Sequence, residues 1–360
     1  MKKLRTEILA LLNRQTTEST PLFSGLINVT EAGLESEGLR FHETHHNAAK
    51  MARAAASSYR LSGFGSAVVP LDLCVEAEAL GARVDFREES ERAEFPRVAG
   101  FLYDSIERFT TETHRPDLQR RGGQRHGDLK DSQWLRDSVV QKGRIPVVVE
   151  AIKLLKEDVG DEIVVGAWAP GPFTLLSLLV ETGALYMSLR KSAEAVHAAL
   201  EMITQVLAGV GNAYHEAGAD FLTVHEMGGS PGALGPKPFE SLVLPHLQAL
   251  FSELPRPAVL SACGRTNGTM KLLAASGADA LSVDQTNDLA QSRVDVPDVL
   301  LFGNLDPVGL ISQGTPAGIT EAVAGVVRSG ADAVWPGCDL YLQTPLENLK
   351  ALVQACQKNR

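Results

Sequence analysis

Short apolar runs alternate along the chain with longer stretches that place apolar side chains at helical spacing. The first helical stretch predicts an N-terminal helix at 4–14. The short apolar runs predict eight β-strands. Eight strands alternating with helices make up a (β/α)8 TIM barrel. The strand candidates lie at about 22–27, 65–70, 162–168, 221–224, 257–261, 279–283, 299–303 and 332–335.

A doubly wound open sheet is the alternative architecture for such an alternation. It is disfavoured because no Gly-x-Gly-x-x-Gly phosphate loop follows any of the strand candidates. We therefore predict a single (β/α)8 barrel domain over residues 1–360.

A sequence motif, Gly-Ala-Asp, that occurs three times in the second half of the chain supports this architecture. In each copy a helix is predicted to end at a glycine, whose missing Cβ permits a left-handed cap, and a strand follows. Each interval between copies contains one further strand candidate, so each interval spans two βα units. The copies are Ala217-Gly-Ala-Asp220, Ser276-Gly-Ala-Asp279 and Ser329-Gly-Ala-Asp332.

Residues 84–135 form an irregular, charged and partly helical insertion after the second strand. Its basic side chains surround a Gly122-Gly123 turn, and they are Arg115, Arg120, Arg121, Arg125 and His126. We predict a solvated excursion here, with a flexible lid that grips an anionic group as the alternative.

A second polar stretch precedes an alanine-rich helix at about 47–59. It contains His42, Glu43, His45 and His46. We predict a solvated helix entry, and the alternative is a metal site.

Composition narrows the range of functions. With 44% apolar residues, 22% charged residues and a net charge of −10, the chain is typical of a globular protein whose main partner is neither nucleic acid nor an acidic membrane. No apolar run reaches the ~18 residues that a membrane-spanning helix needs. The four cysteines do not form a disulfide framework, and the N-terminus lacks a secretory apolar core. We predict a cytoplasmic protein with reduced thiols.

Chemically active side chains follow several strand candidates, at the end where TIM-barrel active sites are built. Cys263 and Cys338 each follow a short strand, and His225 and Glu226 follow another. Thiolates with an imidazole or a carboxylate are a typical zinc set, and three firm ligands leave one position open for substrate. The alternative is that both cysteines are buried small hydrophobes.

Four polar residues close to strand ends are candidates to orient a substrate. They are Asp72, Glu76, Asp284 and Asn304. For Asp72 and Glu76 the alternative is a charged first helical turn that complements the helix dipole.

Motifs from nearly the whole chain resemble one superfamily. They are Val69-Pro-Leu-Asp-Leu-Cys-Val-Glu-Ala-Glu-Ala-Leu-Gly81, Gly171-Pro-Phe-Thr174, Ser230-Pro-Gly-Ala-Leu-Gly-Pro-Lys237, Cys263-Gly264 with Gly277-Ala-Asp279, and Trp335-Pro-Gly-Cys338 followed by Thr344-Pro-Leu-Glu-Asn348. The chain resembles the corrinoid-dependent methyltransferases related to uroporphyrinogen decarboxylase. The likeness is nearest to the methylcobamide:coenzyme M methyltransferases.

This resemblance implies a zinc site with the pattern His-x-Cys followed by a distant cysteine. Cys263 and Cys338 match the two cysteines, whereas Ser261 stands at the histidine position. A neutral serine hydroxyl is a poor zinc ligand. Our hypothesis is that His225 or Glu226, at the end of the neighbouring strand, supplies the missing ligand.

The resemblance implies a methyltransferase that moves a methyl group between a methylcobamide, carried by a partner corrinoid protein, and a small acceptor. The acceptor is a thiol such as coenzyme M or a pterin such as tetrahydrofolate, and bound zinc would keep a thiol nucleophilic. The alternatives are a metal-free decarboxylase of a tetrapyrrole, acting through an aspartate near Asp72, and a corrinoid-protein partner without catalytic activity.

Overall fold

A parallel sheet of seven strands forms the centre of the computed structural model, which describes residues 2–113 and 130–358. The strands of this sheet and of a separate antiparallel pair are β1 (Ser66–Val69), β2 (Val84–Asp85), β3 (Arg97–Val98), β4 (Val164–Pro170), β5 (Phe221–Glu226), β6 (Ala258–Ala262), β7 (Ala280–Val283), β8 (Leu300–Leu305) and β9 (Ala333–Pro336). Neighbours in the parallel sheet follow the order β1-β4-β5-β6-β7-β8-β9, and β2 pairs with β3.

Helices follow the strands and cover the sheet. The α-helices are Lys2–Leu12, Glu31–Ser36, Ala48–Ser62, Val75–Ala79, Ile106–Thr113, Lys130–Val139, Ile145–Asp158, Pro172–Leu179, Thr182–Lys191, Ala193–Glu216, Pro231–Leu234, Pro236–Pro238, Leu244–Glu253, Met270–Ala274, Leu289–Asp295, Pro316–Arg328 and Leu346–Lys358. A 3-10 turn spans Phe41–Thr44, and π-helical turns span Phe239–Val243 and Pro307–Ser312. None of these helices is long and apolar enough to cross a membrane.

The predicted TIM-barrel fold is confirmed, with one difference at its first strand. Seven of the eight predicted strands are present as β1 and β4 to β9. The segment predicted as a strand at 22–27 makes a single β-bridge, from Leu22 to Val334 on β9. Serine and glycine within this segment explain the difference, because Ser24 Oγ accepts a hydrogen bond from Leu26 N and turns the chain locally.

This N-terminal segment nevertheless lies between the two edge strands. Val334 N donates to Pro21 O, while Ser24 N donates to Ser66 Oγ on β1 over 2.9 Å. Phe23 packs against the rings of Phe221, Phe302 and Trp335, with centroid distances of 5.7, 5.4 and 5.1 Å. The segment therefore fills the gap in the sheet and plugs the barrel with an aromatic core.

The repeated Gly-Ala-Asp motif fixes the pairing of β5, β7 and β9 with the strand before each. As predicted, its glycines have left-handed backbones, with φ of 111° at Gly218 and 85° at Gly277 and Gly330. In each copy the aspartate donates its backbone N–H to a residue of the preceding strand and accepts that residue's N–H through its carboxylate. The pairs are Asp220 with Val165, Asp279 with Ala258, and Asp332 with Leu301.

The charged insertion begins with the antiparallel pair β2 and β3, and its described residues also include the helix Ile106–Thr113 and the start of the helix Lys130–Val139. The predicted anion-gripping group of Arg115, Arg120, Arg121, Arg125 and His126 lies outside the described residues. The prediction of a solvated helix entry at 42–46 is wrong for His45, which is fully buried.

Gly25 provides a test of the barrel plug. A Cβ on Gly25 would lie 2.1 Å from Thr223 Oγ1 and 2.6 Å from Trp335, so we expect Gly25→Ala to lower the free energy of unfolding by about 1–3 kcal/mol. Gly325, within the helix Pro316–Arg328, has no atom within 4 Å of such a Cβ, and Gly325→Ala should raise it by about 0.5–1 kcal/mol. Urea unfolding measures both, and a Gly25→Ala protein as stable as wild type would contradict the packing.

Candidate metal centre

One imidazole and two thiols converge at the carboxyl end of the parallel sheet. His225 is the penultimate residue of β5, Cys263 directly follows β6, and Cys338 follows β9. His225 Nε2 lies 3.6 Å from Cys263 Sγ and 3.9 Å from Cys338 Sγ, and all three ligand atoms lie within 4.8 Å of one another. Within the described residues this is the one close group of three or more potential metal ligands from histidine, cysteine and acidic side chains.

The spacing of this group fits zinc. In a tetrahedral zinc site the metal–nitrogen and metal–sulfur bonds of about 2.0–2.1 and 2.3 Å place those two ligand atoms about 3.6 Å apart. The observed nitrogen–sulfur distances of 3.6 and 3.9 Å are close to that value. The protein therefore has the donor types and the separation that a zinc ion requires, with three ligands instead of the four of a structural site.

The sheet register explains why a histidine lies here although the resemblance places the imidazole two residues before Cys263. His225 on β5 is the direct neighbour of Ser261 on β6. Side chains at paired positions of neighbouring strands point to the same face. The imidazole therefore comes from the next strand at the same height in the barrel.

Electrostatics in the cluster favour protonated ligands before a metal binds. The hydrogen bond with Cys263, together with burial, raises the pKa of the Cys338 thiol well above its usual range. Burial lowers the pKa of His225, but the hydrogen bond with Cys338 and the charges of Cys338, Asp339 and Glu226 together outweigh it, so the net shift is upward. A metal ion must therefore displace protons from these residues, and its affinity will rise with pH.

Glu226, predicted as the alternative to His225, is directed elsewhere. Its carboxylate accepts hydrogen bonds from Thr174 Oγ1, from Phe173 N over 3.1 Å and from Gly229 N over 2.9 Å. Burial raises the pKa of Glu226, against the effect of these three hydrogen bonds. Glu226 thus holds the first turn of the helix Pro172–Leu179 to the turn after β5, and of the two candidates it is His225 that lies beside the thiols.

Asp284 and Asn304 support the loop that carries Cys263. Asp284 accepts a hydrogen bond from Gly264 N over 3.0 Å and another from Thr286 N over 2.8 Å. Asn304 donates to Asn287 O over 2.8 Å, and the Asn287 amide in turn donates to Gly264 O over 2.9 Å. Both predicted site residues are therefore close to Cys263 in the hydrogen-bond network.

Asp72 belongs to a buried ionic cluster. Arg144 makes two hydrogen bonds to its carboxylate, of 2.6 and 3.0 Å, and His45 Nδ1 lies 2.8 Å from Asp72 Oδ2. Burial acts to raise the pKa of Asp72, but His45 and Arg144 hold it well below its usual range. Arg144 also binds Glu78 over 2.6 Å. The Asp72 carboxylate is therefore ionised and fully engaged by protein groups.

Glu76 is buried without a charged partner. Tyr214 donates a hydrogen bond of 3.2 Å to Glu76 Oε1, whereas Oε2 has no partner among the described residues. Burial raises the pKa of Glu76 to about 8. This side chain is mostly protonated at neutral pH, so it is a hydrogen-bond donor as well as an acceptor.

The sequence analysis did not predict that Arg144 and His45 are the buried partners of Asp72. Arg144 stands alone before an apolar helix, and no local pattern connects it to Asp72, which is 72 positions away. His45 lies in a polar stretch, so its complete burial has no signature in the sequence. A lone arginine beside an apolar helix is the only signal that points to a buried carboxylate partner.

The family model for uroporphyrinogen decarboxylase (URO-D) matches residues 3–122 and 123–359. The chain therefore belongs to the uroporphyrinogen decarboxylase family.

Its relatives include methyltransferases from Methanosarcina species. It is 27% identical to the methylcobamide:CoM methyltransferase MtbA of Methanosarcina acetivorans, over 97% of this chain and 95% of the relative. It is 28% identical to MtaA of Methanosarcina barkeri, which carries the same activity name, over 98% and 97%. A solved methyltransferase from Methanosarcina mazei superposes with a TM-score of 0.85 at 28% identity, covering 99% of this chain and 98% of that one. The prediction of a corrinoid-dependent methyltransferase is confirmed.

The pKa of Glu76 predicts an unusual dependence of stability on pH. Between about pH 4.5, the unfolded value, and about pH 8 the folded protein keeps a proton that the unfolded chain releases. This group therefore lowers the free energy of unfolding as pH rises, by up to about 1.4 kcal/mol per pH unit. Glu76→Gln removes the effect, so the variant should gain stability relative to wild type from pH 5 to pH 8.

Urea unfolding at each pH unit checks this, with the exposed Glu107→Gln as the control that leaves the profile unchanged. A difference between Glu76→Gln and wild type that stays constant with pH would contradict the assignment.

Proposed function

We propose that this protein transfers a methyl group from a methylcobamide, carried by a partner corrinoid protein, to a small thiol acceptor, and that His225, Cys263 and Cys338 hold a zinc ion where the acceptor binds. The donor set carries the proposal, because one nitrogen and two sulfur atoms lie within 4.8 Å of one another. A zinc ion with three protein ligands has an open position, where it lowers the pKa of a bound thiol.

The chemistry of the transfer supports a thiol acceptor. The acceptor loses its proton to solvent, its sulfur lone pair forms the new bond to the methyl carbon, and the electron pair of the cobalt–carbon bond stays on cobalt. The names of MtbA and MtaA give coenzyme M, a thiol, as their acceptor. A soft cysteine-rich donor set is suited to this acceptor class.

The chain's own residues contribute by holding the ligands in place. Cys263 N donates to Glu226 O, and the carboxylate of Asp284 fixes the following Gly264 N. The Trp168 ring packs against the His225 ring with centroids 6.1 Å apart, which restricts the imidazole. We propose that Asp284 and Asn304 act as positioning residues for the Cys263 loop.

The ionic cluster around Asp72 speaks against decarboxylation. A decarboxylase that acts through Asp72 needs a carboxylate that can reach the substrate. Here Arg144 and His45 both engage that carboxylate, and removing one partner of a buried ion pair costs about 3–5 kcal/mol. We assign Asp72 and Arg144 a structural role.

Zinc content tests the donor set directly. Wild-type protein purified with zinc supplied should hold about one equivalent at the cluster, and Cys263→Ser or Cys338→Ser should lose it, because a hydroxyl is a poor zinc ligand. Cys74→Ser is the matched control, since Cys74 is a buried cysteine outside the cluster. Elemental analysis gives the stoichiometry, and wild-type protein that remains metal-free would overturn the zinc proposal.

The paired positions of His225 and Ser261 allow a rescue experiment. We expect His225→Gln to lose zinc, and His225→Gln combined with Ser261→His to regain it, because the new imidazole starts from the neighbouring strand about 4.8 Å away. Cobalt substitution provides a second readout, through the absorption of the cobalt–thiolate bonds. Unchanged cobalt–thiolate absorption in His225→Gln alone would show that His225 is not a ligand.

A further inference from the structure

Two histidines on neighbouring helices face each other outside the candidate metal centre. His197 belongs to the helix Ala193–Glu216 and His246 to the helix Leu244–Glu253. His197 Nδ1 lies 3.0 Å from His246 Nε2, with the ring centroids 5.2 Å apart and the ring planes at 39°. Both side chains are half-buried, and neither takes part in the site described above.

The separation of these nitrogens fits a shared metal ion as well as a hydrogen bond. Two imidazole nitrogens bound to one ion at about 2.0–2.1 Å lie roughly 2.9–3.4 Å apart when the angle between the bonds is 90–110°. Burial and the neighbouring His197 lower the pKa of His246 to about 4. The His246 imidazole is therefore neutral at pH 7 and has a lone pair available for coordination.

Carboxylates for the remaining coordination positions lie on the same helix. Glu194 and Glu201 come three residues before and four residues after His197, so they share its helix face. Both are exposed, and neither makes an ion pair or a side-chain hydrogen bond within the described chain. Either side chain is free to turn toward the histidine pair.

We propose that His197 and His246 form a second metal site, for a divalent ion that imidazole ligands favour, such as Zn²⁺. Water and the carboxylate of Glu194 or Glu201 complete the coordination. The ion links the helix Ala193–Glu216 to the helix Leu244–Glu253 and stabilises their packing. It has no part in methyl transfer. This site is independent of the proposed function.

Isothermal titration with Zn²⁺ tests the second site in untagged protein that carries Cys263→Ser and Cys338→Ser, which removes the thiol ligands of the first. We expect about one equivalent of zinc in this background and a zinc-dependent rise in the unfolding temperature. His197→Gln and His246→Gln should each weaken the binding at least about tenfold and abolish that rise. His215→Gln is the matched control, because His215 is an exposed histidine of the same helix.

Circular dichroism of the metal-free variants verifies that each one folds. Electron paramagnetic resonance with Cu²⁺ gives a second readout, because two imidazole nitrogens produce a hyperfine pattern that water and carboxylates do not. No zinc binding in the double-cysteine background would overturn the proposal. Unchanged zinc binding after His197→Gln and His246→Gln would overturn it as well.

Discussion

The register of the parallel sheet is the constraint on which the candidate metal centre depends. His225 and Cys263 come from the adjacent strands β5 and β6, and Cys338 comes from β9, at the far end of the hydrogen-bonded order. These residues approach one another only if the sheet curls and each strand ends at the same level. A slip of one residue in any strand would turn its ligand to the other face of the sheet.

The protein fixes this register outside the site. The aspartates of the Gly-Ala-Asp motifs hydrogen-bond the start of β5, β7 and β9 to the strand before each. Near the carboxyl ends, Glu226 holds the helix after β4 to the turn after β5, while Asp284 and Asn287 hold the Cys263 loop. Asp284, predicted to orient the substrate, and Glu226, predicted as an alternative metal ligand, are thus both bonded to the protein itself. Such bonds preorganise a ligand set.

Sequence patterns predicted the architecture well because apolar periodicity and glycine caps are local. They identified seven strands and both thiols, and they left His225 and Glu226 as alternatives. Two consecutive residues of one strand point to opposite faces, and a short sequence pattern does not show which of them lies beside the thiols. In the structure His225 lies beside them, and the Glu226 carboxylate binds Phe173, Thr174 and Gly229. The segment at 22–27 was mistaken for a full strand because its interior role comes from Gly25 and Phe23 packing against distant residues. The burial of His45 and Arg144 is equally non-local, since His45 is compensated by Asp72, and Arg144 by Asp72 and Glu78.

Zinc-edge X-ray absorption of the zinc-loaded protein tests the central claim most directly, because it reports the atoms around the metal. We predict two sulfur neighbours at about 2.3 Å and one imidazole nitrogen at about 2.0 Å, with a third sulfur neighbour once a thiol acceptor is added. The measurement is best made on the His246→Gln protein, in which the helix-bound site is removed. A spectrum without sulfur neighbours, or one that does not change when a thiol is added, would contradict the account.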